Sequence, residues 1–252
     1  MALTVNGKNR QKSQRYQSFR RLVLYAIATF FITTVISVIA FSFINPNLTM
    51  LMVAKRVQPL NDGGSNRINH KWVSIDKISP QLVLAVCAAE DNKFMEHNGF
   101  DWESIQKAKE HNKKGKRLRG ASTITQQTVK NVFLWPRRSW VRKGFEAYFT
   151  FLVEVFWSKE RIMEVYLNVA ELGRGIYGVE SASECYYGKP ASKISTYEAA
   201  MLATVLPNPA KRNPAKPSSY MYRYQRTILR NMYNLGRIDL KGDTSSKSKK
   251  KN

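Results

Sequence analysis

The sequence predicts a mainly α-helical protein, and three observations carry that expectation. Apolar residues recur at helical spacing through most of the chain beyond Trp72. Serine or threonine opens these segments and glycine or proline closes them, which is the punctuation of helices. Strictly alternating polar and apolar runs, the mark of half-buried strands, are nearly absent, and no internal repeat is visible.

Residues 1–21 hold Lys8, Arg10, Lys12, Arg15, Arg20 and Arg21 without a single acid. Leu22–Ile44, "LVLYAIATFFITTVISVIAFSFI", follows with no charge over 23 positions. A membrane-spanning helix needs about 20 apolar residues, whereas the apolar part of a cleavable signal runs roughly 7–15. An uncleaved anchor is expected, with a fully buried soluble helix as the competing reading. The basic stretch before it and the sparse charge just after it place the N-terminus in the cytoplasm and the rest of the chain across the membrane. Residues 45–71, which include "NDGGSNRINH", read as a linker, and 72–240 as the main domain. The basic, low-complexity tail 241–252, "KGDTSSKSKKKN", is expected to be disordered.

Within the main domain "SPQLVLAVCAAED" begins with Ser79 as cap and Pro80 at the first helical position. "STITQQTVKNVF" (122–133) has a Ser/Thr cap after Gly120. "SKERIMEVYLNVAEL" (158–172) starts at Ser158, carries Glu160 and Arg161 in its first turns, and is expected to stop at Gly173. "STYEAAMLATVL" (195–206) is ended by "PNPAKRNPAKP", and "YMYRYQRTILRNMYNLGRI" supplies the last helix.

A net charge of +23 demands an anionic partner: nucleic acid, anionic lipid or a phosphorylated substrate. A domain held across the membrane does not meet nucleic acid, which leaves lipid and substrate. The two cysteines, Cys87 and Cys185, form either one disulfide or two separately buried thiols. Neither has metal-ligand spacing.

Candidate chemistry sits in four places. In "VLAVCAAEDNKFMEHNGFD" (83–101), Leu82, Val86, Glu90, Phe94 and His97 share one stripe if the helix continues, and Asp91 points elsewhere. Glu90 then ends an apolar stripe, a setting that raises a carboxyl pKa and suits a general base. A capping or salt-bridged glutamate fits the spacing equally well. "KAKEHNKKGKRLRG" (107–120) is dense in Lys and Arg and adjoins the helix start "GASTITQQ", where free N–H groups favour an anion. Lys130 falls one turn after Gln126 on that helix. In "RKGFE", Arg142 and Lys143 converge on Glu146, either as a plain ion pair or as a carboxylate among cations that also grip a phosphate. The surrounding "VFLWPRRSWVRKGFEAYFTFLVEVFW" (132–157) mixes aromatics with cations, and reads as interfacial membrane contact or as ordinary core. Two matches are set aside. "GRGIYG" (173–178) fits G-x-G-x-x-G but follows a helix, and "SIQK" (104–107) fits S-x-x-K without its companion motifs.

Taken together, "EDNKFMEHNGFD", "GASTITQQ", "RKGFE" and "KERIMEVYLN" resemble, in order and spacing, the signature blocks of the peptidoglycan glycosyltransferases of family 51. "GIYGVESASECYYGKPASKISTYEAAMLATVLPNP" is similar to the rest of that domain, and the likeness covers roughly residues 72–235. A single anchor and no transpeptidase domain make the chain similar to the monofunctional biosynthetic members of Gram-negative bacteria. The resemblance implies a lysozyme-like, two-lobed helical domain preceded by one transmembrane helix in the bacterial inner membrane, with its catalytic part periplasmic. It implies polymerisation of lipid II into glycan strands, inverting the donor's anomeric carbon and releasing undecaprenyl pyrophosphate. The implied partners are lipid II, the growing glycan chain, the bilayer, and other cell-wall synthesis or division proteins. Glu90 falls on the family's general base and Glu146 on its second carboxylate, which serves in positioning, leaving-group assistance or metal contact. Ser122, Gln126, Gln127, Lys130, Arg142 and Lys143 fall on the donor's sugar–pyrophosphate site. Asp91, Phe94 and His97 fall in supporting positions, Asp91 fixing the turn with Asn92 or a nearby cation and His97 bonding within the loop. A divalent cation, Mg or Mn, stimulates some members, and no all-protein metal cage is visible. Cys185 in "ECYY" departs from the pattern and puts only local packing in doubt.

Two rivals are open at this level. A lysozyme-like hydrolase needs a raised-pKa acid, though not a basic groove. A membrane-anchored scaffold that binds anionic lipid or glycan needs the charge without the residue identities.

Overall fold

The computed structural model describes residues 3–57, 67–115 and 120–241, with side chains from Tyr16 onward. Residues 58–66 of the expected linker, 116–119 of the basic loop, the side chains of the first 15 residues and the tail from 242 lie outside the described residues. Two compact units emerge, Met1–Phe43 and Ile44–Asn252.

The first unit is one helix, α1 (Leu3–Phe43). Its stretch Tyr16–Phe43 has a mean hydropathy of 2.4 and is long and apolar enough to cross a membrane. Hydroxyls inside it return to the helix backbone: Thr33 donates to the Thr29 carbonyl (2.8 Å) and Thr34 to that of Phe30 (2.9 Å). These two hydroxyls are thereby satisfied without solvent, as an apolar medium requires.

The second unit is mainly helical, as expected. Its helices are α2 (Met50–Val57), α3 (Pro80–Glu90), α4 (Trp102–Lys113), α5 (Ile124–Phe133), α6 (Trp140–Phe156), α7 (Lys159–Val169), α8 (Val179–Tyr187), α9 (Thr196–Ala203) and α10 (Ser219–Leu235). Ser79, Ser158 and Ser195 cap their helices as the sequence predicts, with side-chain oxygens accepting from Gln81, Arg161 and Glu198. In α5 the cap is Thr123, in a reciprocal box with Gln126.

Most of α3 is buried: Leu82, Val83, Ala85, Val86, Cys87 and Ala88 form the centre of the core. It packs on α9 and α10, while α5 packs on α6 and α7. Cys87 is buried and Cys185 exposed, and both are free, so neither the disulfide nor the buried pair describes them.

Four local expectations change. The segment expected as a linker contains α2, whose Met52 is fully buried and which packs on α5. α3 does not continue past Glu90: Asp91 leaves helical geometry at φ −159°, ψ 78°, so Phe94 and His97 sit on turns outside the stripe. α7 ends at Val169, before Gly173, because Ala170 turns extended and Glu171–Gly173 (β2) pairs antiparallel with Ile176–Tyr177 (β3). Asn69–His70 (β1) joins β3 in parallel. "GRGIYG" therefore begins at the end of a strand and forms a hairpin. Gly178, at φ 80°, lets the chain pass the Asn168 carbonyl, which an added Cβ would meet at 2.6 Å.

Candidate active site

Two clefts meet in the second unit, and the ends of α3, α5 and α6 position their walls. The first, about 560 Å³, is lined by Ser122, Gln126, Gln127, Lys130, Arg142, Lys143 and Glu146, and also by Lys55, Asn131, Arg138 and Tyr166. The second, about 650 Å³, is lined by Glu90, Asp91, Lys93, Asp101, Ser104, Lys107 and Thr123. Ser122, Gln127 and Pro207 belong to both walls and mark the junction. The structure thus brings both carboxylates and all six expected binding residues to this paired groove. Phe94 and His97 line neither cleft.

Glu90 is the last residue of α3, and the free carbonyls there are met by α10: Asn231 donates to the Ala88 carbonyl (3.1 Å) and Tyr224 to that of Ala89 (3.4 Å). Among the described residues its carboxylate accepts one hydrogen bond, from Gln127 Nε2 at 2.8 Å. Burial raises the Glu90 pKa, opposed by that bond and by the charges of Lys130 and Arg212.

Glu146 is environmentally the opposite. It is 3 % exposed, and its two oxygens take Arg142 Nη1 (2.8 Å) and Lys143 Nζ. The convergence of these three side chains, expected from helical spacing, is present. Lys130 feels both carboxylates. Burial and the charges of Arg142 and Arg138 lower its pKa, and Glu146 and Glu90 raise it. Gln126 faces the first cleft, yet its Oε1 is committed to the Thr123 N–H (3.1 Å) inside the capping box.

Asp91 has a defined place. Its carboxylate accepts from His97 Nε2 (2.9 and 3.1 Å) and, at 3.0 Å, from the N–H of Ile124, the first residue of α5. The acid therefore ties the end of α3 to the positive start of α5. These partners are His97 and a helix N-terminus, where Asn92 or a cation was expected. The turn is closed further by Lys159, which donates to the His97 carbonyl (2.6 Å) and sits 4.7 Å over the Phe94 ring. Phe94, 1 % exposed, is thus a core prop behind the site.

Neither carboxylate offers a divalent cation a site built from protein alone. Both Glu146 oxygens are held by cations, and Glu90 faces an amide and two further cations. Among the described residues no group of three or more His, Cys, Asp and Glu converges.

Sequence reasoning passed over Tyr166, Arg138, Lys55 and Arg212. Arg212 lies in the Pro-rich break after α9, donates to the Thr204 carbonyl and stacks over Tyr220 (5.0 Å) and Tyr224 (5.8 Å). Its only signal was a cation beside a helix end.

The Transglycosylase family profile matches residues 56–233, which include every wall of both clefts except Leu51 and Lys55. The chain belongs to the Transglycosylase family. A biosynthetic peptidoglycan transglycosylase of Bacteroides thetaiotaomicron is 53% identical over 216 residues, covering 84% of this chain and 87% of the relative. The protein of the same name from Bdellovibrio bacteriovorus is 49% identical over 215 residues, covering 85% and 86%. That from Pasteurella multocida is 45% identical over 226 residues, covering 89% and 92%. As a transglycosylase, this chain is a glycosyltransferase enzyme of peptidoglycan synthesis, and α1 is consistent with a membrane anchor.

Proposed function

We propose that this transglycosylase elongates glycan strands from lipid II by inverting glycosyl transfer, with release of undecaprenyl pyrophosphate. One observation carries the reading: the two carboxylates are divided between adjoining clefts, one desolvated beside a neutral amide, the other clamped by cations.

The acceptor sugar enters the second cleft with its 4-hydroxyl at Glu90. The raised pKa makes Glu90 a stronger base than an exposed glutamate, and it takes the hydroxyl proton as oxygen attacks the donor's anomeric carbon. The donor end of the growing chain lies in the first cleft, its anomeric carbon near the Ser122–Gln127 junction. Its pyrophosphate lies among Lys130, Arg138, Arg142 and Lys143, and leaves with the electron pair of the broken C–O bond. Cations fixed before reaction stabilise that developing charge at no reorganisation cost. Glu146 holds Arg142 and Lys143 in place and is a positioning carboxylate. Stimulation by Mg or Mn is proposed to act at the substrate's phosphates.

In this reading α1 sits in the bacterial inner membrane with its N-terminus cytoplasmic and the second unit periplasmic. Interfacial contact is supported by exposed apolar residues in that unit, Met50, Val53 and Val57 on α2 and Trp140 (92 % exposed), Val141, Phe151 and Val155 on α6. The growing strand, the bilayer and other wall-synthesis or division proteins are the partners.

Purified full-length protein given lipid II in liposomes is expected to make long strands that muramidase digests, and Glu90→Gln to abolish them. Synthesis persisting in Glu90→Gln would overturn the assignment of the base. Shortening of preformed strands would point to a hydrolase.

A further inference from the structure

Among the described residues Gln127 is the only neutral group bonded to the Glu90 carboxylate, and an amide has two ends of opposite character. With Nε2 toward Glu90 it donates to the ionised acid. With Oε1 there it would accept from the protonated acid and favour that form. Something must choose. The Gln127 Oε1 lies 3.3 Å from the hydroxyl of Tyr166, a residue of α7 only 1 % exposed. Burial and the neighbouring charge of Glu90 hold the Tyr166 pKa well above its ordinary value, so the phenol keeps its proton and remains a donor throughout the working range.

We propose that Tyr166 is a positioning residue for the reaction: its hydroxyl locks the Gln127 amide so that Glu90 always meets an N–H. The proposal rests on Glu90 being the base. The relay runs from the core of α7 through α5 to the end of α3, two hydrogen bonds in series (3.3 and 2.8 Å).

The other groups around Glu90 are few. Asp91 and Cys87 lie on its own segment and Lys130 on α5; Arg212 precedes α10, which carries Tyr224. The titratable residues of α9 are Tyr197, which is exposed, and Glu198, which is tied to Lys189 and Ser195. None of these touches the Gln127 oxygen among the described hydrogen bonds.

The test is the pH dependence of kcat/KM for lipid II in Tyr166→Phe, with Gln127→Met and the double variant alongside. Phenylalanine fills the same space and removes only the hydroxyl, so the amide is freed to turn. The acid limb of the Tyr166→Phe profile is expected to move up by about half a pH unit or more, roughly the weight of one lost hydrogen bond. On the acid side this reads as about a three- to tenfold loss that narrows as pH rises. In the Gln127→Met background the Tyr166 substitution is expected to shift nothing, because the amide it orients is gone. A loss equal at every pH, a profile superimposed on wild type, or a shift that persists without Gln127 would each overturn the relay. Glu90→Gln separates the two ideas: activity surviving there would refute the base itself, whereas its loss beside an unmoved Tyr166→Phe profile would refute only the relay. Matching melting curves check that Tyr166→Phe is folded.

Discussion

Glu90 and Glu146 face adjoining clefts, and their surroundings are opposite. Glu90 stands at a helix end with one neutral donor, and burial raises its pKa. Glu146 stands inside α6, with Arg142 and Lys143 from its own helix on its two oxygens. A buried acid without a direct ion pair is poised to take a proton, whereas a buried acid saturated by cations organises charge. Substitution should expose this difference. Glu90→Gln is the largest expected effect, a loss of glycan synthesis of about 10³-fold or more, since both nucleophile activation and charge matching go at once. Stability should not suffer. The folded pKa of Glu90 lies above its unfolded value, so its ionisation costs stability as pH rises through that window, and the cost is present at neutral pH. The melting temperature of Glu90→Gln at pH 7 is therefore expected to be no lower than wild type.

Glu146→Gln should break the symmetry in the other direction, with activity and stability falling together. Removing one member of a buried ion cluster leaves Arg142, itself largely buried, without its counter-charge. We expect about a 10²-fold drop in kcat from disordered pyrophosphate cations and a melting temperature lower by several degrees, read by a strand-synthesis assay and thermal unfolding. An inactive Glu146→Gln with unchanged melting would instead mark Glu146 as a direct participant in the chemistry.

How much of this contrast was legible in the sequence follows from range. The Glu146 cluster is local: positions three and four apart on one helix must meet, so "RKGFE" announced it. The caps at Ser79, Ser158 and Ser195 are equally local. The surroundings of Glu90 come from Gln127, Lys130, Arg212 and Tyr224, whose distance along the chain no periodicity encodes. The same holds for the β2–β3 hairpin, too short to show alternation, and for α2, whose eight residues lie in a stretch that reads as a connection. The helical stripe failed after Glu90 because Asp91 found better partners off the helix.

Asp91 comes next in expected effect and tests whether adjacency to the base means shared chemistry. Its carboxylate serves His97 and the Ile124 N–H together, and its side chain is about 2 % exposed. Asparagine keeps one acceptor and turns a donor toward one of those partners. A cost of about 2–3 kcal/mol follows, or roughly 5–10 °C in melting temperature, with activity of the protein still folded reduced far less than in Glu90→Gln. An Asp91→Asn protein of full stability and no activity would make the two acids a working pair after all.

The smallest expected effect belongs to Arg212, and it resolves how Glu90 is tuned. The guanidinium makes no ion pair with Glu90 and acts on it only through space, held in place by the Tyr220 and Tyr224 rings. Its charge lowers the Glu90 pKa, so Arg212→Met should raise it further and carry the acid limb of the rate profile upward. On the acid side a loss of about two- to fivefold is expected, fading at higher pH. A through-space charge is screened by salt, whereas a hydrogen bond from Gln127 is not. The Arg212→Met shift should therefore shrink in concentrated salt, and any shift set by the Gln127 amide should persist. If both respond to salt alike, the neutral amide and the caged cation are not separate controls, and the quiet surroundings of Glu90 would be set by charge, as those of Glu146 are.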